Sequence, residues 1–367
     1  MKELKIISVV GARPNFIKIA PIMRELKKYD NITSILVHTG QHYDKNMSDS
    51  FFVDLDIQDP DYNLEVGSAS HAKQTADIMI KFEDICIKEN PDAVLVVGDV
   101  NSTIACSLVA KKLGIKVIHV ESGLRSFDER MPEEINRILT DRISNLLFVS
   151  EESGITNLKN EGVSEEKTFL VGNVMIDSLV YAYEKIKNSK TCNIYNLKQK
   201  EYSVLTLHRP SNVDNKEKLT EILETISILQ KKEKIIIPLH PRTRNNLEKF
   251  KLMEKILEMG NLKVVEPQDY ISFLSLVMDS RLILTDSGGI QEETTFLKIP
   301  CITLRENTER PSTTNVGSNV IVGTDRDKIV SEFDKIINNE NKESKVPKLW
   351  DGHTSERIVK IIAEKLK

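Results

Sequence analysis

With 367 residues, 40 % of them hydrophobic and 29 % charged, the chain has the composition of a soluble globular protein large enough for two domains. Its 51 basic and 55 acidic residues leave a formal net charge of −4, which argues against a protein that coats nucleic acid or a membrane surface. Cys86, Cys106, Cys192 and Cys301 lack metal-ligand spacing, no apolar run approaches a membrane span, and the apolar run at the start is too short for a signal peptide; the expected location is the cytoplasm.

Short apolar runs alternate with longer amphipathic stretches along the whole chain. The predicted strands are residues 5–10, 34–37, 93–97, 117–120 and 146–149, then 203–207, 235–239, 263–265, 282–284 and 301–304. Nearly continuous apolar strands are those covered on both faces, and repeated β-α units imply parallel sheets with right-handed crossovers. The expected fold is therefore α/β, with two Rossmann-like domains, residues 1–172 and 173–350. The final helix, 354–367, is expected to pack back on the first domain. Ligands of open parallel sheets bind beyond the carboxyl ends of the strands, so the expected site is a cleft between the domains.

The polar residues that follow each strand carry the chemistry. Gly11, Ala12, Arg13 and Pro14 follow the first strand, and Pro14 suits the first turn of a helix. Arg13 and Lys18 would stand at the positive end of that helix, where an anion would stabilise them. The plainer reading is a solvated basic patch. Gly98 and Asp99 follow the third predicted strand, where Asp99 can also be read as a simple cap or turn residue. Glu121 and Arg125 emerge from the fourth. Glu133 and Arg137, four apart after Pro132, share a helix face and could be no more than an exposed ion pair. Taken together, Asp99, Glu121 and Glu133 bring carboxylates to one cleft wall, where crowding would suit one of them to acid or base work near neutral pH. With Arg137 beside them, the set suggests proton transfer. No His or Cys accompanies them at metal-ligand spacing, so no metal is expected.

In the second half, His208 and His240 each end a strand and are each followed by an Arg within two residues. A histidine there can bind or protonate a phosphate leaving group. Gln268 could read a base edge and Phe273 could pack on the base, although a single Phe is more often core. The stretch from Thr285 to Glu293 is strand, Gly-Gly turn and helix start, an arrangement that binds phosphate on Ser287, Gly288 and Gly289. Glu292 and Glu293 one turn later suit sugar hydroxyls, which points to a nucleotide-sugar. Arg310, in a loop after the last strand, is a candidate for bidentate contact with a diphosphate.

The pieces GARPNFIK, TGQH, VGD, HVESGLRS, PEEINR, TLHRPSN, HPRT, DSGGIQEE and ENTERP occur in this order between about residues 9 and 317. The ordered set resembles the non-hydrolysing UDP-N-acetylglucosamine 2-epimerases. That resemblance implies a GT-B-like pair of domains, a homodimer, no nicotinamide or other cofactor, and interconversion of UDP-GlcNAc and UDP-ManNAc. It also implies the route: UDP is eliminated to give 2-acetamidoglucal and then added back. By the matching motifs, Asp99, Glu121 and Glu133 would be the acid/base carboxylates, Arg137 their arginine, and His208 the group assisting UDP departure. Arg13, Lys18, Gln268, Phe273, Ser287, Gly288, Gly289, Glu293 and Arg310 would bind the nucleotide, with Glu293 on the ribose. The chain departs from many bacterial members at Asn15, where they carry Glu. The pattern of members activated by substrate at a second site is kept at Gln41 but not at Asp44 and Lys73. A hydrolysing epimerase that releases ManNAc and UDP shares most of these motifs. A GT-B glycosyltransferase is the alternative of a different class, and no basic-apolar helix is present to serve it at a membrane.

Overall fold

The computed structural model describes residues 3–40 and 55–366. The chain divides into two compact units, Met1–Tyr181 with Lys348–Lys367, and Ala182–Pro347. The division falls inside the helix Val174–Ser189.

The first unit is built on a seven-stranded parallel sheet in the order β3-β2-β1-β4-β5-β6-β7. Its strands are β1 (Leu4–Val10), β2 (Ile32–His38), β3 (Tyr62–Asn63), β4 (Ala93–Val97), β5 (Lys116–Ser122), β6 (Leu146–Val149) and β7 (Thr168–Leu170). Ile7 lies opposite both Ile35 and Val94, and these side chains enter one core with Ile78, Phe82, Cys106 and Val109 from the helices covering that face. The final helix, Thr354–Lys365, belongs to this unit. Asp177 accepts hydrogen bonds from the Thr354 and Ser355 N–H groups at 3.1 and 2.7 Å, and buried Trp350 donates its indole N–H to the Ser150 carbonyl at 2.9 Å.

The second unit has a six-stranded parallel sheet in the order β10-β9-β8-β11-β12-β13. Its strands are β8 (Tyr202–Thr206), β9 (Lys234–Pro238), β10 (Leu262–Val265), β11 (Leu282–Thr285), β12 (Cys301–Thr303) and β13 (Asn319–Ile321). Successive residues of a strand point to opposite faces. Leu205, Ile237 and Leu284 therefore join Leu223, Ile226 and Phe333 on one side, while Val204, Ile236 and Ile283 join Leu276 and Val277 on the other. Both faces are covered, which is why these strands read as unbroken apolar runs. The two units are Rossmann-like and the fold is α/β of the GT-B-like kind.

Strands β3, β7 and β13 have no counterpart among the predicted segments. All three are two or three residues long and sit at sheet edges, and most of their residues are only partly buried. Their short, mostly part-buried segments carry no continuous apolar run, so the pattern that marks the predicted strands is missing.

Candidate active site

In each sheet the chain winds outward from its first strand and then reverses. The reversal lies between β1 and β4 in the first unit and between β8 and β11 in the second. A crevice opens at such a point because the connections on either side leave toward opposite faces.

In the first unit, Gly11–Lys18 and Gly98–Asp99 flank the reversal. The helix Arg13–Leu26 starts with Pro14 in its first turn. Buried Asn15 ties the two loops together: its Oδ1 accepts from the Ala12 N–H at 2.9 Å and its Nδ2 donates to the Val97 carbonyl at 2.9 Å. Gly98 has φ +69°, and a Cβ there would lie 3.1 Å from Lys18 Nζ, 3.4 Å from Asn15 Nδ2 and 3.8 Å from Glu121 Oε2. Three polar side chains thus converge over a glycine that only a residue without Cβ can occupy comfortably. Lys18 and Glu121 form an ion pair and each is 6 % exposed. Glu121 itself has φ 71°, and the β5–β6 register slips between Val120 and Ser122. A bulge of this kind re-aims a side chain, and the left-handed backbone at a non-glycine residue is strain of the sort found at functional sites.

Asp99 does not cap the next helix, Asn101–Lys112, whose N-cap residue is Val100 with no side-chain cap. Its carboxylate instead accepts from Arg137 Nη1 at 2.5 Å. Arg137, on the helix Pro132–Ile143, is buried and also meets Glu134 Oε2 at 2.9 Å through Nε and 2.5 Å through Nη2. Glu134 accepts as well from the Ser126 and Phe127 N–H groups, at 3.0 and 2.8 Å. Burial alone would push the Glu134 carboxyl up, but the Ser126 N–H and Arg137 outweigh it and hold the group below the usual carboxylate range. Glu133 is partly exposed on the same helix and takes no part in these pairs. Asp99 and Glu121 are therefore each matched by a cation, Arg137 (which Glu134 shares) and Lys18, whereas the sequence suggested crowding among carboxylates.

Behind this wall lies a buried chain that spacing along the sequence does not reveal. His119 is fully buried on β5 with acceptors at both ring nitrogens, the Gly98 carbonyl at 2.8 Å and Asp141 at 2.7 Å. Asp141 also meets Arg125 at 2.7 Å and the Gly123 N–H at 3.0 Å, and Arg125 continues to Glu161 at 2.7 Å. Burial works against the charged form of Asp141, but His119 and Arg125 keep its carboxyl below the ordinary value. Arg125, expected to emerge from the strand's end, is instead an interior link of this chain.

In the second unit, His208 and Arg209 follow β8, and Asp286 to Gly289 follow β11. His208 Nδ1 lies 3.0 Å from the carboxylate of fully buried Asp286. The His240 ring is 5.4 Å from that of His208, and His240 Nδ1 caps the helix Pro241–Lys249 by accepting from the Arg242 N–H at 3.2 Å. Arg242 is held at 2.8 Å by Asp214. The helix Gly288–Leu297 begins at the turn with Ser287 as N-cap residue, and no side chain caps it. A Cβ on Gly288 would lie 2.8 Å from Arg310 Nη1, so the glycine admits the guanidinium to the helix start. Arg310 pairs with Glu292 at 2.8 Å and Glu309 at 2.6 Å, and Arg305 also binds Glu309 at 2.8 Å. Burial and the nearby Arg209 and Arg310 charges lower the Arg305 pKa, although Glu309 opposes them. Glu293 is buried and close to Tyr270, whose hydroxyl is pushed well up, first by burial and then by that carboxylate. Gln268 donates to the Glu266 carbonyl at 2.7 Å, and Phe273 packs against the core below the sheet. The Arg13 side chain, Gln41 and Asp44 lie outside the described residues. Lys73 makes a 4.0 Å exposed pair with Asp77.

A model of the family described as UDP-N-acetylglucosamine 2-epimerase matches residues 24–363. The chain belongs to that family. It is 47 % identical over 361 residues to a UDP-N-acetylglucosamine 2-epimerase homolog of Methanococcus maripaludis, covering 98 % of this chain and 99 % of that one. It is 42 % identical over 330 residues to the UDP-2,3-diacetamido-2,3-dideoxy-D-glucuronate 2-epimerase of Pseudomonas aeruginosa, covering 89 % and 90 %. Its fold superposes with a TM-score of 0.92, at 44 % identity, on the Methanocaldococcus jannaschii UDP-GlcNAc 2-epimerase crystallised with UDP-GlcNAc and UDP, covering 98 % of this chain and all of that one. Membership in an epimerase family makes the chain an isomerase by class. Among the described residues, no group of three or more His, Cys, Asp or Glu side chains could hold a metal ion, and no helix is long and apolar enough to cross a membrane.

Proposed function

We propose that this chain is a non-hydrolysing UDP-GlcNAc 2-epimerase that interconverts UDP-GlcNAc and UDP-ManNAc. The observation that carries the reading is a pair of separate acid/base candidates in the first unit, Asp99 with Arg137 and Glu121 with Lys18. Inversion at carbon 2 needs one group to take a proton from one face and another to return a proton to the opposite face. The proton is not beside a carbonyl and is poorly acidic, so its removal is driven by loss of UDP from carbon 1. The electron pair of the carbon 2–hydrogen bond becomes the double bond of 2-acetamidoglucal, and that of the carbon 1–oxygen bond leaves with UDP. Grip on the diphosphate then contributes to catalysis as well as to binding. In this reading Ser287, Gly288, Gly289, Arg13 and Arg310 grip the diphosphate, His208 assists its departure, and Glu293 holds the ribose. Arg310 would exchange one of its present carboxylate partners for a phosphate oxygen. Glu133, exposed enough to reach a ligand, completes the acid/base set.

The relative that acts on a diacetamido-glucuronate favours a second reading of the substrate, with the same chemistry at carbon 2. The two are separated by incubating the protein with each UDP-sugar and following products by NMR. UDP-ManNAc from UDP-GlcNAc supports the proposal. Turnover of the diacetamido-glucuronate alone would replace its substrate, and release of free ManNAc would make the enzyme hydrolysing.

The helix Pro132–Ile143 exposes Ile135, Ile138 and Leu139, at spacings that share one face. Such an apolar patch on a surface helix supports the homodimer that the family resemblance implies.

A further inference from the structure

Asp286 follows β11 directly and is shielded from solvent, yet four donors surround it. The backbone N–H groups of His208 and Arg209 donate to it at 3.1 and 2.9 Å, Asn212 Nδ2 at 3.2 Å, and His208 Nδ1 lies 3.0 Å away. Asn212 also donates to the Leu304 carbonyl at 3.0 Å, which fixes its amide orientation. Burial alone would push the Asp286 carboxyl up; His208 and the two backbone N–H groups outweigh it and keep the carboxyl below its ordinary value. An ionised carboxylate only accepts hydrogen bonds. The hydrogen in the His208–Asp286 contact therefore sits on His208 Nδ1, and Nε2 is left for the substrate.

We propose that Asp286 is a positioning residue that fixes the His208 tautomer, so that proton exchange with the diphosphate passes through Nε2 alone. The inference rests on the epimerase reading and assigns within it a role to the aspartate of the Asp-Ser-Gly-Gly turn. As the carbon 1–oxygen bond breaks, its electron pair goes to the UDP oxygen. The imidazolium Nε2–H gives its proton to that diphosphate, leaving a neutral ring with hydrogen on Nδ1. Re-addition of UDP returns the proton to Nε2. Throughout, Asp286 faces the Nδ1–H and opposes the ring's transient charge. The same carboxylate holds the His208-Arg209 backbone, so ring orientation and the loop after β8 are set together. A carboxylate behind a catalytic imidazole has this effect wherever it orients the ring, and an amide in its place reverses the tautomer.

The test uses the full chain labelled with 15N-histidine, with the His208 signals assigned by their loss in His208→Gln. In the neutral ring of the wild-type protein, hydrogen on Nδ1 is expected. In Asp286→Asn the amide Nδ2 would donate to the ring, and hydrogen on Nε2 is expected. A wild-type ring with hydrogen on Nε2 would overturn the proposal, whether or not Asp286→Asn folds or any substrate turns over. In kinetics, Asp286→Asn should lower kcat roughly 10²–10⁴-fold while UDP affinity stays within about threefold, and adding His208→Gln should cost little more. Full additivity of the two substitutions would also overturn it. Absence of turnover in the wild type would count against the epimerase reading and leave the tautomer result standing.

Discussion

Replacing Glu121 by Gln removes one charge from a buried pair and leaves the other. Lys18 and Glu121 are each 6 % exposed, so neither finds bulk water when its partner is lost. Breaking such a pair from one side costs about 3–5 kcal/mol. Shedding the proton of an ordinary lysine near pH 7.5 costs about 4 kcal/mol, which caps the loss. The left-handed backbone at Glu121, φ 71°, is shared by Gln and cancels in the comparison. Lys18→Met should cost about as much for the mirror-image reason. The double variant removes both charges and should recover most of one penalty, giving a coupling of about 3 kcal/mol. The sole tryptophan, Trp350, is buried in the same unit, so its fluorescence in urea reports the unfolding of that unit. Single losses that add within about 0.5 kcal/mol would refute the claim that the pair is a buried, coupled unit. Glu121→Gln should still bind UDP but lose exchange at carbon 2; near-normal turnover would remove Glu121 from the acid/base set.

Other predictions rest on single contacts. His38 is buried beside Phe16 and its pKa is lowered by burial to about 4, from 6.5. Between those values the unfolded chain holds the extra proton, so stability falls as pH drops from 6.5 toward 4, by up to about 3 kcal/mol. His38→Leu should flatten the melting temperature across that window; an unchanged slope would place the dependence elsewhere. Gly98→Ala puts a Cβ 3.1 Å from Lys18 Nζ at φ +69°, and strain of about 1–2 kcal/mol with a fall in kcat is expected, read by urea unfolding and product formation. Wild-type stability and rate would show that the turn tolerates a side chain. Leu139→Asp should yield a monomer by light scattering if the exposed face of Pro132–Ile143 is the dimer contact; an unchanged mass would move the contact elsewhere.

The inner strands and the positions of Asp99, Glu121, His208 and the Asp286 turn were legible because a polar residue ending an unbroken apolar run marks the carboxyl edge of a parallel sheet. What each side chain faces was less legible. Spacing of three and spacing of four both share a helix face, and the partner of Arg137 is Glu134, three residues away, where the sequence pointed to Glu133. His119 and Asp141 are 22 residues apart, on β5 and the helix after it, so no local pattern links them. Arg310 reads as a phosphate ligand, yet it is matched by Glu292 and Glu309, because a buried guanidinium needs anionic partners. Asn15 bridges two loops through both ends of one amide, a pairing that only the parallel neighbours β1 and β4 create.

In the proposed reaction, proton exchange at carbon 2 is coupled to reversible loss of UDP. Incubation with UDP-GlcNAc in deuterated water, followed by NMR, tests it directly. Deuterium at carbon 2 in both sugars and accumulation of UDP-ManNAc without any acceptor are expected. UDP-ManNAc that retains hydrogen at carbon 2, or no exchange at all in the absence of an acceptor, would contradict it.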